Sequence, residues 1–393
     1  MIWSSHAVRG TNPAEMIRRL AAEIGPAFGN HAIDLAVFFV SPHFRDAFEK
    51  LPAMLQEHLP ARVLIGCSAG GVVGGGIELE NEPAMSLTAA HLPHVKIFPI
   101  ANDTENIPDA DAAPDVWKNW LGLPALDRAH FIILADPFTA RLEPVLTGLD
   151  YVFPEGAKIG GLASGARNEC GIILYLNNRS FNRGLVAVAL TGNIAVDTIV
   201  AQGCRPIGEP LAVTACQHNI LRAVNGVTPL QYLGSLIERL TEYDRALMKT
   251  SLFLGLAVDP FLSTPARGDY LIRNLVGIDY QSGVLAANAL LREGQIVQFH
   301  LRDRATSAED LAALLARQAA QTKTPTHGAL LFQCVGRGRH LYGETGHDSR
   351  QFAATLGPVP LGGFFCNGEI GPVGGATQLH GYTSSFGLFR PAP

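Results

Sequence analysis

The chain has 393 residues, a hydrophobic fraction of 47% and a formal net charge of -5. This length and hydrophobic fraction predict two or three domains with buried cores. Because no run of Lys and Arg is present, we expect neither a nucleic acid nor a membrane surface as a partner. The N-terminus lacks a basic segment followed by an apolar one, and no apolar run reaches the roughly 18 residues of a membrane span. We therefore expect a cytoplasmic protein.

The first predicted elements alternate between helix and strand. A helix begins after Asn12 as N-cap with Pro13 at its first position, and it ends at Gly25. The apolar run "AIDLAVFFV" predicts a strand covered on both faces. The segment "HFRDAFEKLPAMLQEH" then has helical spacing, and Pro52 is expected to kink or divide that helix.

The residue pattern changes from alternating helices and strands to short β-rich runs at Cys170. From there to Val224 short β-rich runs alternate with turn sequences, which predicts antiparallel sheet. A new helix begins with Thr228 as N-cap, so we place a domain boundary near Asn225. The sequence therefore predicts two domains, residues 1–225 and 226–393. A second β-rich stretch and a helix beginning at "SAEDLAALLARQ" follow in the second domain.

Three segments share the order strand, helix, strand and glycine-rich turn. Their turns are "GCSAG" at residues 66–70, "GLASG" at 161–165 and "FFCNG" at 364–368. The sequence thus predicts an α/β fold of two domains, with repeated β-α-β units plus antiparallel β meanders in each half. Because parallel strands end at one edge of a sheet, we expect the three turns to collect around one crevice.

The first turn also reads as G-x-S-x-G, the pattern of a hydrolase nucleophile elbow with Ser68 at its tip. In the other two turns Ala163 and Cys366 occupy the aligned position, so the repeated feature is a small residue and not a hydroxyl. A nucleophile would also need a base and an orienting acid, for which His347 with Asp348 is the obvious pair. We interpret the motif as part of a pocket rim.

Several blocks carry a family resemblance. "LIGCSAGGVVGGG" resembles the glycine-rich segment of the FIST N-terminal domain, where FIST abbreviates F-box and intracellular signal transduction. "GDYLIRNLVGID", "GALLFQCVGRG" and "PLGGFFCNGEIGPVGG" are similar to successive blocks of the FIST C-terminal domain, and the resemblance covers roughly residues 30 to 390. It implies a small-ligand sensory module, proposed for the family to bind compounds such as amino acids. No kinase, cyclase, methyl-accepting or F-box segment is left over beside the two FIST halves, so either a separate signalling protein is the partner or the family proposal does not fit this chain.

The candidate ligand-binding residues lie on the turns or beside them. Backbone N–H groups of the turns could bind a carboxylate, and Glu369 or Asp136 could meet an ammonium group. Glu369 could instead cap neighbouring amides, and Arg337 could bind a ligand carboxylate or be a solvated loop charge. The full set is Cys67, Ser68, Gly70, Asp136, Ser164, Gly165, Arg337, Cys366, Asn367 and Glu369.

The predicted function is reversible binding of a small polar metabolite, amino-acid-like or carboxylate, in intracellular signalling. The alternative is an enzyme, a hydrolase or transferase that uses Cys366 or Ser68 with Glu369 or His347 as acid or base. A third interpretation is an interaction scaffold without a working pocket. We expect no cofactor, because the run Val72 to Gly76 lacks both the P-loop and the dinucleotide-binding motifs. The six scattered cysteines have no Cys-x-x-Cys spacing, so we expect reduced thiols, no disulfide framework and no metal.

Overall fold

The computed structural model describes residues 1–168, 171–259, 262, 265, 268–322 and 324–393. Within these residues the chain forms two compact units. The first contains Met1–Val200 together with Ala312–Pro393, and the second contains Ala201–Leu311. In sequence, the second unit is therefore an insertion in the first. The boundary near Asn225 concerns a different division of the chain and stays a prediction.

Helices and strands alternate along the first unit, and the second unit is rich in strands. The strands are β1 (Ile2–Arg9), β2 (Ile33–Val40), β3 (Ala61–Ser68), β4 (Gly71–Gly74), β5 (Ile77–Glu80), β6 (Ala84–His91), β7 (Val95–Asn102), β8 (His130–Ala135), β9 (Lys158–Leu162), β10 (Leu174–Leu176), β11 (Arg179–Phe181), β12 (Leu185–Gly192), β13 (Ala195–Ala201), β14 (Cys204–Gln217), β15 (Ile220–Val224), β16 (Leu252–Ala257), β17 (Tyr270–Asp279), β18 (Val284–Ala287), β19 (Ile296–Arg302), β20 (Gly328–Cys334), β21 (Leu361–Cys366), β22 (Glu369–Val373), β23 (Ala376–His380) and β24 (Ser384–Arg390). The helices are α1 (Pro13–Ile24), α2 (Leu51–His58), α3 (Pro114–Trp120), α4 (Leu142–Val152), α5 (Pro229–Arg239), α6 (Glu242–Met248), α7 (Arg304–Gln321), α8 (Gly338–Tyr342) and α9 (His347–Leu356), with 3-10 helices at Gly25–Ala27 and Pro42–Lys50.

The first unit contains three six-stranded sheets. Their strand orders are β1-β6-β2-β3-β10-β11 in the first sheet, β23-β22-β9-β8-β12-β7 in the second and β13-β24-β20-β21-β4-β5 in the third. Each sheet includes a parallel pair, which is β2–β3, β8–β9 or β20–β21, and a helical segment connects its two strands. The three β-α-β units predicted from the sequence are therefore confirmed, and so is the α/β fold class.

Strand β2 shows why its sequence is apolar without interruption. Its alternate side chains enter two different cores, because successive residues of a strand point to opposite faces. Val37 and Phe39 join the core that all three sheets share, whereas Phe38 and Val40 pack in the core beneath α1 and α2. The sequence-based expectation of a strand covered on both faces is confirmed.

The shared core joins the three sheets from within. Phe39 on β2 stacks on Phe364 of β21 with ring centroids 4.5 Å apart, which connects the first and third sheets. Ile132 of β8 and Phe332 of β20 belong to the same buried cluster. Burial of this kind contributes roughly 1.5–3 kcal/mol for each large apolar side chain. The carboxyl ends of β3, β9 and β21 are therefore held near one another by packing as well as by hydrogen bonds.

Local signals determine where the first helices begin and end. Asn12 Oδ1 accepts a hydrogen bond from Glu15 N at 3.2 Å, Pro13 is the first helical residue, and Gly25 follows the last turn of α1. Pro52 lies where the 3-10 helix Pro42–Lys50 passes into α2, so the predicted division of that helix is confirmed. Among the described residues, no helix is both long and apolar enough to cross a membrane.

The β-rich stretch that begins at residue 170 is distributed over several sheets. β10 and β11 join the first sheet, β12 the second and β13 the third, while β14 and β15 belong to the second unit. β12 pairs antiparallel with β7 and β8, both far away in sequence. The stretch does not form one sheet of its own, because its apolar faces are covered by strands from elsewhere in the chain.

The second unit is a closed six-stranded sheet with the order β14-β15-β18-β17-β16-β19. Its interior contains Leu211, Leu254 and Phe299, and α5 adds Tyr232 and Leu236 to the same cluster. The predicted N-cap of α5 is confirmed, since the Thr228 side chain accepts a hydrogen bond from Gln231 N. None of the candidate ligand-binding residues lies in this unit.

Candidate functional site

The three glycine-rich turns lie side by side in the first unit. The second turn contacts the first through a hydrogen bond from Ser164 N to Ser68 O at 3.1 Å. The third contacts the second through Asn367 N, which donates to Leu162 O at 3.1 Å. The Asn367 side chain adds a bond from Nδ2 to Ala163 O, also at 3.1 Å. The ends of three strands from three different sheets thus meet at one place.

Ser164, on the second turn, forms hydrogen bonds with both the first and the third turn. Its Oγ accepts from Gly70 N at 2.7 Å and donates to Phe365 O, in addition to the backbone bond to Ser68. The residue is fully buried. A buried hydroxyl that is fully hydrogen-bonded stabilises its partners, because losing it leaves them unsatisfied in a medium without water. Ser164 is therefore a positioning residue for the junction of the turns.

A cavity of about 250 Å³ opens at this junction. All three turns contribute to its wall, and so does the loop after β20. Of the residues expected from the sequence, Gly70 and Gly165 line it directly. The full lining is Gly70, Glu80, Asn81, Gly165, Ala166, Arg167, Val335 and Phe365.

Two side chains of opposite charge line the cavity. Glu80 accepts a hydrogen bond from Arg339 N with both carboxylate oxygens, at 3.0 and 3.1 Å. Burial raises the pKa of Glu80 to about 7, and the nearby carboxylates of Glu78 and Asp348 add to that effect. Arg167 is exposed and forms no hydrogen bond or ion pair with any other described residue.

Two residues that line the cavity also have backbone N–H groups without an acceptor among the described residues. Within the described part of the chain, the N–H groups of Gly165 and Ala166 donate to no other residue. Gly165 has φ +93°, a conformation that side-chain-bearing residues rarely adopt, and a Cβ there would lie 3.1 Å from Pro42 Cδ. Successive free N–H groups beside a left-handed residue are typical of a concave anion-binding site.

The candidate nucleophiles are buried and have structural partners. Ser68 is fully buried, and its Oγ accepts a hydrogen bond from Ile173 N at 3.2 Å. Burial raises the pKa values of the Cys67 and Cys366 thiols, and the Glu369 charge raises that of Cys366 further. A thiol with a raised pKa is a poor nucleophile. This geometry does not favour the enzyme alternative. Cys170, where the predicted β-rich stretch begins, lies outside the described residues.

The two candidate carboxylates, Asp136 and Glu369, bind protein donors and do not line the cavity. Asp136 is fully buried, and its Oδ1 accepts from the N–H groups of Phe138 and Thr139 at 2.7 and 3.1 Å. Glu369 is also fully buried, and its Oε2 accepts from Thr383 N at 3.0 Å and from Thr383 Oγ1 at 2.8 Å. These contacts correspond to the structural role that the sequence left open for Glu369.

Arg337 is neither a solvated loop charge nor a free ligand for a carboxylate. It is fully buried and binds Asp348 through Nε at 2.8 Å and Nη2 at 3.2 Å, while Nη2 also donates to the Tyr342 hydroxyl at 2.6 Å. Burial alone would raise the pKa of Asp348, but the Arg337 charge and hydrogen bonds from His347 and Ser384 hold it well below its ordinary value. Arg337 and Asp348 thus form a buried ion pair.

Sequence reasoning missed the charged lining of the cavity, Glu80 and Arg167, together with the neighbouring Glu78. The segment "IELE" on β5 contained a usable signal. Two carboxylates at alternate positions of a strand share a face, and two charges beside a glycine-rich apolar run need partners. Arg167 lies two residues after the second turn, so its nearness to the turns could also have been inferred from the sequence.

Two family models together cover most of the chain. The FIST N domain model matches residues 34–227, and the FIST C domain model matches residues 229–372. The chain belongs to the FIST family. FIST domains are in general sensory domains of signal transduction.

Relatives of this FIST protein occur in mycobacteria. An uncharacterized protein of Mycobacterium tuberculosis is 36% identical over 389 residues, which cover 97% of this chain and 98% of the relative. An uncharacterized protein of Mycobacterium bovis is 34% identical over 370 residues, 94% of each chain. Among solved structures, cyanuric acid hydrolase from A. caulinodans matches with 8% identity and a TM-score of 0.35, over 100% of this chain and 99% of that one. A TM-score this low supports no argument about the FIST protein.

Proposed function

We propose that this FIST protein binds a small polar metabolite, amino-acid-like or carboxylate, in the cavity where the three turns meet. The observation that supports it best is that one cavity is lined by both an acid, Glu80, and a base, Arg167, together with Gly70, Gly165 and Phe365. A volume of about 250 Å³ is below the roughly 300–1,000 Å³ of drug-sized ligand sites, which favours a metabolite of few heavy atoms.

The two ends of such a ligand would meet complementary groups. A carboxylate fits the N–H groups of Gly165 and Ala166 together with the Arg167 guanidinium, which binds carboxylates in a bidentate fashion. An ammonium group fits Glu80, whose carboxylate it would neutralise; burial and the charges of two neighbouring acids raise the pKa of that carboxyl. Phe365 and Val335 would cover the apolar part of the metabolite.

Membership of the FIST family indicates that such ligand binding would serve signal transduction. FIST domains are in general sensory, and the two family models account for residues 34–227 and 229–372 of this chain. We also propose that a signalling protein in the cytoplasm responds to ligand binding.

A thermal-shift screen tests the proposal. Protein shown to be free of bound ligand is screened against amino acids and small carboxylates, and a ligand at about 100 times its Kd should stabilise the fold by roughly 2.7 kcal/mol. Arg167→Ala should abolish the shift for carboxylate compounds, while Arg18→Ala, which removes an exposed arginine of α1, should retain it. A complete panel without a stabilising compound would favour the scaffold interpretation, and a shift that persists in Arg167→Ala would place the ligand elsewhere.

A further inference from the structure

The segment that follows β2 packs against the second glycine-rich turn. Pro42 begins the 3-10 helix Pro42–Lys50, and a Cβ placed on Gly165 would lie 3.1 Å from Pro42 Cδ. Phe44 and Phe48 of the same segment are buried in the core beneath α1 and α2. Buried aromatic side chains dominate the energetics of a core. These two residues therefore hold the 3-10 helix in place beside the second turn.

Arg45, on this 3-10 helix, lies beside a residue of the cavity wall. A Cβ placed on Gly171 would lie 2.4 Å from Arg45 Nη2 and also 2.4 Å from the Cβ of Ala166, so both groups border Gly171. Ala166 lines the cavity, and so does Arg167, the next residue along the chain. Two arginines from separate segments of the chain are thus placed at Ala166.

Neither of these arginines has a counter-charge in the part of the chain that the structure describes. Arg45 and Arg167 are both exposed, and neither forms an ion pair or a side-chain hydrogen bond with another described residue. Elsewhere in the first unit an arginine binds a carboxylate, as Arg390 does with Asp197 at 2.8 Å. Like charges on neighbouring segments repel each other, and a bound anion would compensate that repulsion.

The proposed binding mode leaves Arg45 available for a second anionic group. One carboxylate of the ligand contacts the N–H groups of Gly165 and Ala166 together with Arg167, and an ammonium group contacts Glu80. A guanidinium binds a carboxylate through two parallel hydrogen bonds, so Arg45 offers a site of the same chemistry. Because both arginines lie at Ala166, a short carbon chain can join the two carboxylates.

We propose that the ligand carries two carboxylates, and that Arg45 binds the second one and so selects short dicarboxylic acids over their monoamides. The inference rests on the proposed function, because it takes the same cavity as the binding site. It adds a specificity-determining residue on the segment after β2, which lies outside the three turns.

Calorimetric titration of the full-length protein with matched pairs of compounds tests this proposal. The pairs are aspartate with asparagine, glutamate with glutamine, and succinate with succinamate, in which a neutral amide of similar shape replaces one carboxylate. At low salt we expect the diacid to bind about fivefold or more tightly than its amide, as one charge pair at an exposed site allows. The preference should decrease as the salt concentration rises, because exposed charges are screened.

Two variants of Arg45 assign the preference to this residue. Arg45→Gln removes the charge and keeps a long polar side chain, so it should bind the diacid and the amide with nearly equal affinity and leave the affinity for the amide unchanged. Without ligand it should melt at the wild-type temperature, because Arg45 is exposed. Arg45→Glu inverts the charge and should favour the amide. The control Arg18→Gln changes an exposed arginine of α1 and should retain the wild-type preference.

The outcomes separate this inference from the proposed function. An amide that binds the wild type as tightly as its diacid would overturn the inference and leave the metabolite site intact, and so would a diacid preference that persists in both Arg45 variants. If none of the six compounds binds while the wider screen finds another ligand for the cavity, the inference alone fails. If that screen finds no ligand at all, both proposals fail.

Discussion

The Ser164 hydroxyl accepts a hydrogen bond from the Gly70 amide at 2.7 Å, although the two residues follow strands of different sheets, β9 and β3. The same hydroxyl donates to Phe365 O, and Ser164 N donates to Ser68 O. One small side chain thereby joins the ends of β3, β9 and β21. The cavity between them is built before any ligand arrives, which reduces the ordering that binding must impose.

Ser164→Ala should lower the free energy of unfolding by about 1–3 kcal/mol, because the Gly70 amide and the Phe365 carbonyl lose a buried partner. Chemical denaturation measures this change. The matched control is Ser86→Ala, which removes a buried hydroxyl that has no hydrogen-bond partner within the described residues and should be close to neutral. Equal stability losses in the two variants would show that Ser164 does not hold the turns together.

Ser68→Ala should lower the free energy of unfolding by roughly 1 kcal/mol, because the Ile173 amide loses its side-chain acceptor. The loss is small because Ser68 N still donates to Ile173 O. A fluorophosphonate probe should leave Ser68 unlabelled, since the side chain is fully buried and bonded to a backbone amide. Mass spectrometry of the probe-treated protein shows whether Ser68 is labelled. Labelling of the wild type that disappears in Ser68→Ala would instead support the hydrolase alternative.

The buried ion pair of Arg337 and Asp348 predicts that a single substitution greatly lowers the free energy of unfolding. Asp348→Asn leaves the Arg337 charge buried without its counter-charge and should cost about 3–5 kcal/mol. Glu344→Gln breaks an ion pair with Arg350 whose side chains are more than half exposed, and should cost less than about 1 kcal/mol. Because the pKa of Asp348 is lowered in the folded state, its contribution is present above the unfolded value near 3.8 and is lost as the pH falls below it. A similar loss in both variants would contradict the account of this pair.

The raised pKa of Glu80 predicts a loss of stability as the pH rises, whereas the lowered pKa of Asp348 predicts a loss as the pH falls. Its raised pKa means that the carboxyl favours folding below the unfolded value near 4.5, and this contribution is lost as the pH rises through about 7. The wild type should therefore lose about 1–2 kcal/mol relative to Glu80→Gln between about pH 5 and pH 8, a range reduced from the full shift because Glu80 is only partly buried. Urea unfolding of both proteins across this pH range measures the difference. A difference that does not change with pH would contradict the raised pKa.

The sequence predicted those parts of the fold that depend on local patterns. The three β-α-β units could be recognised because each strand, helix and glycine-rich turn has its own signature within about 40 residues. The joining of β12 to β7 and β8, and the insertion of Ala201–Leu311 into the first unit, could not be read in this way. Such pairings depend on which distant apolar faces fit together, and no local pattern records that.

The site was predicted in part for the same reason. Gly70, Ser164 and Gly165 lie on the turns, and their position followed from the repeat. Arg337 was expected to bind a ligand or to be solvated, but it precedes α8 while its partner Asp348 lies on α9, and the burial of both could not be inferred from the spacing. Glu80 was missed because the acid belongs to a four-residue strand whose importance depends on the turns it adjoins.

The central claim is that the junction of the three turns binds a small polar metabolite. A high-resolution crystal structure of the protein with the most stabilising compound of the screen tests it most directly. The account predicts density in the cavity, with a carboxylate at the N–H groups of Gly165 and Ala166 and any cationic group at Glu80. Density for the compound at another place, with this cavity containing only solvent while binding is saturated, would contradict it.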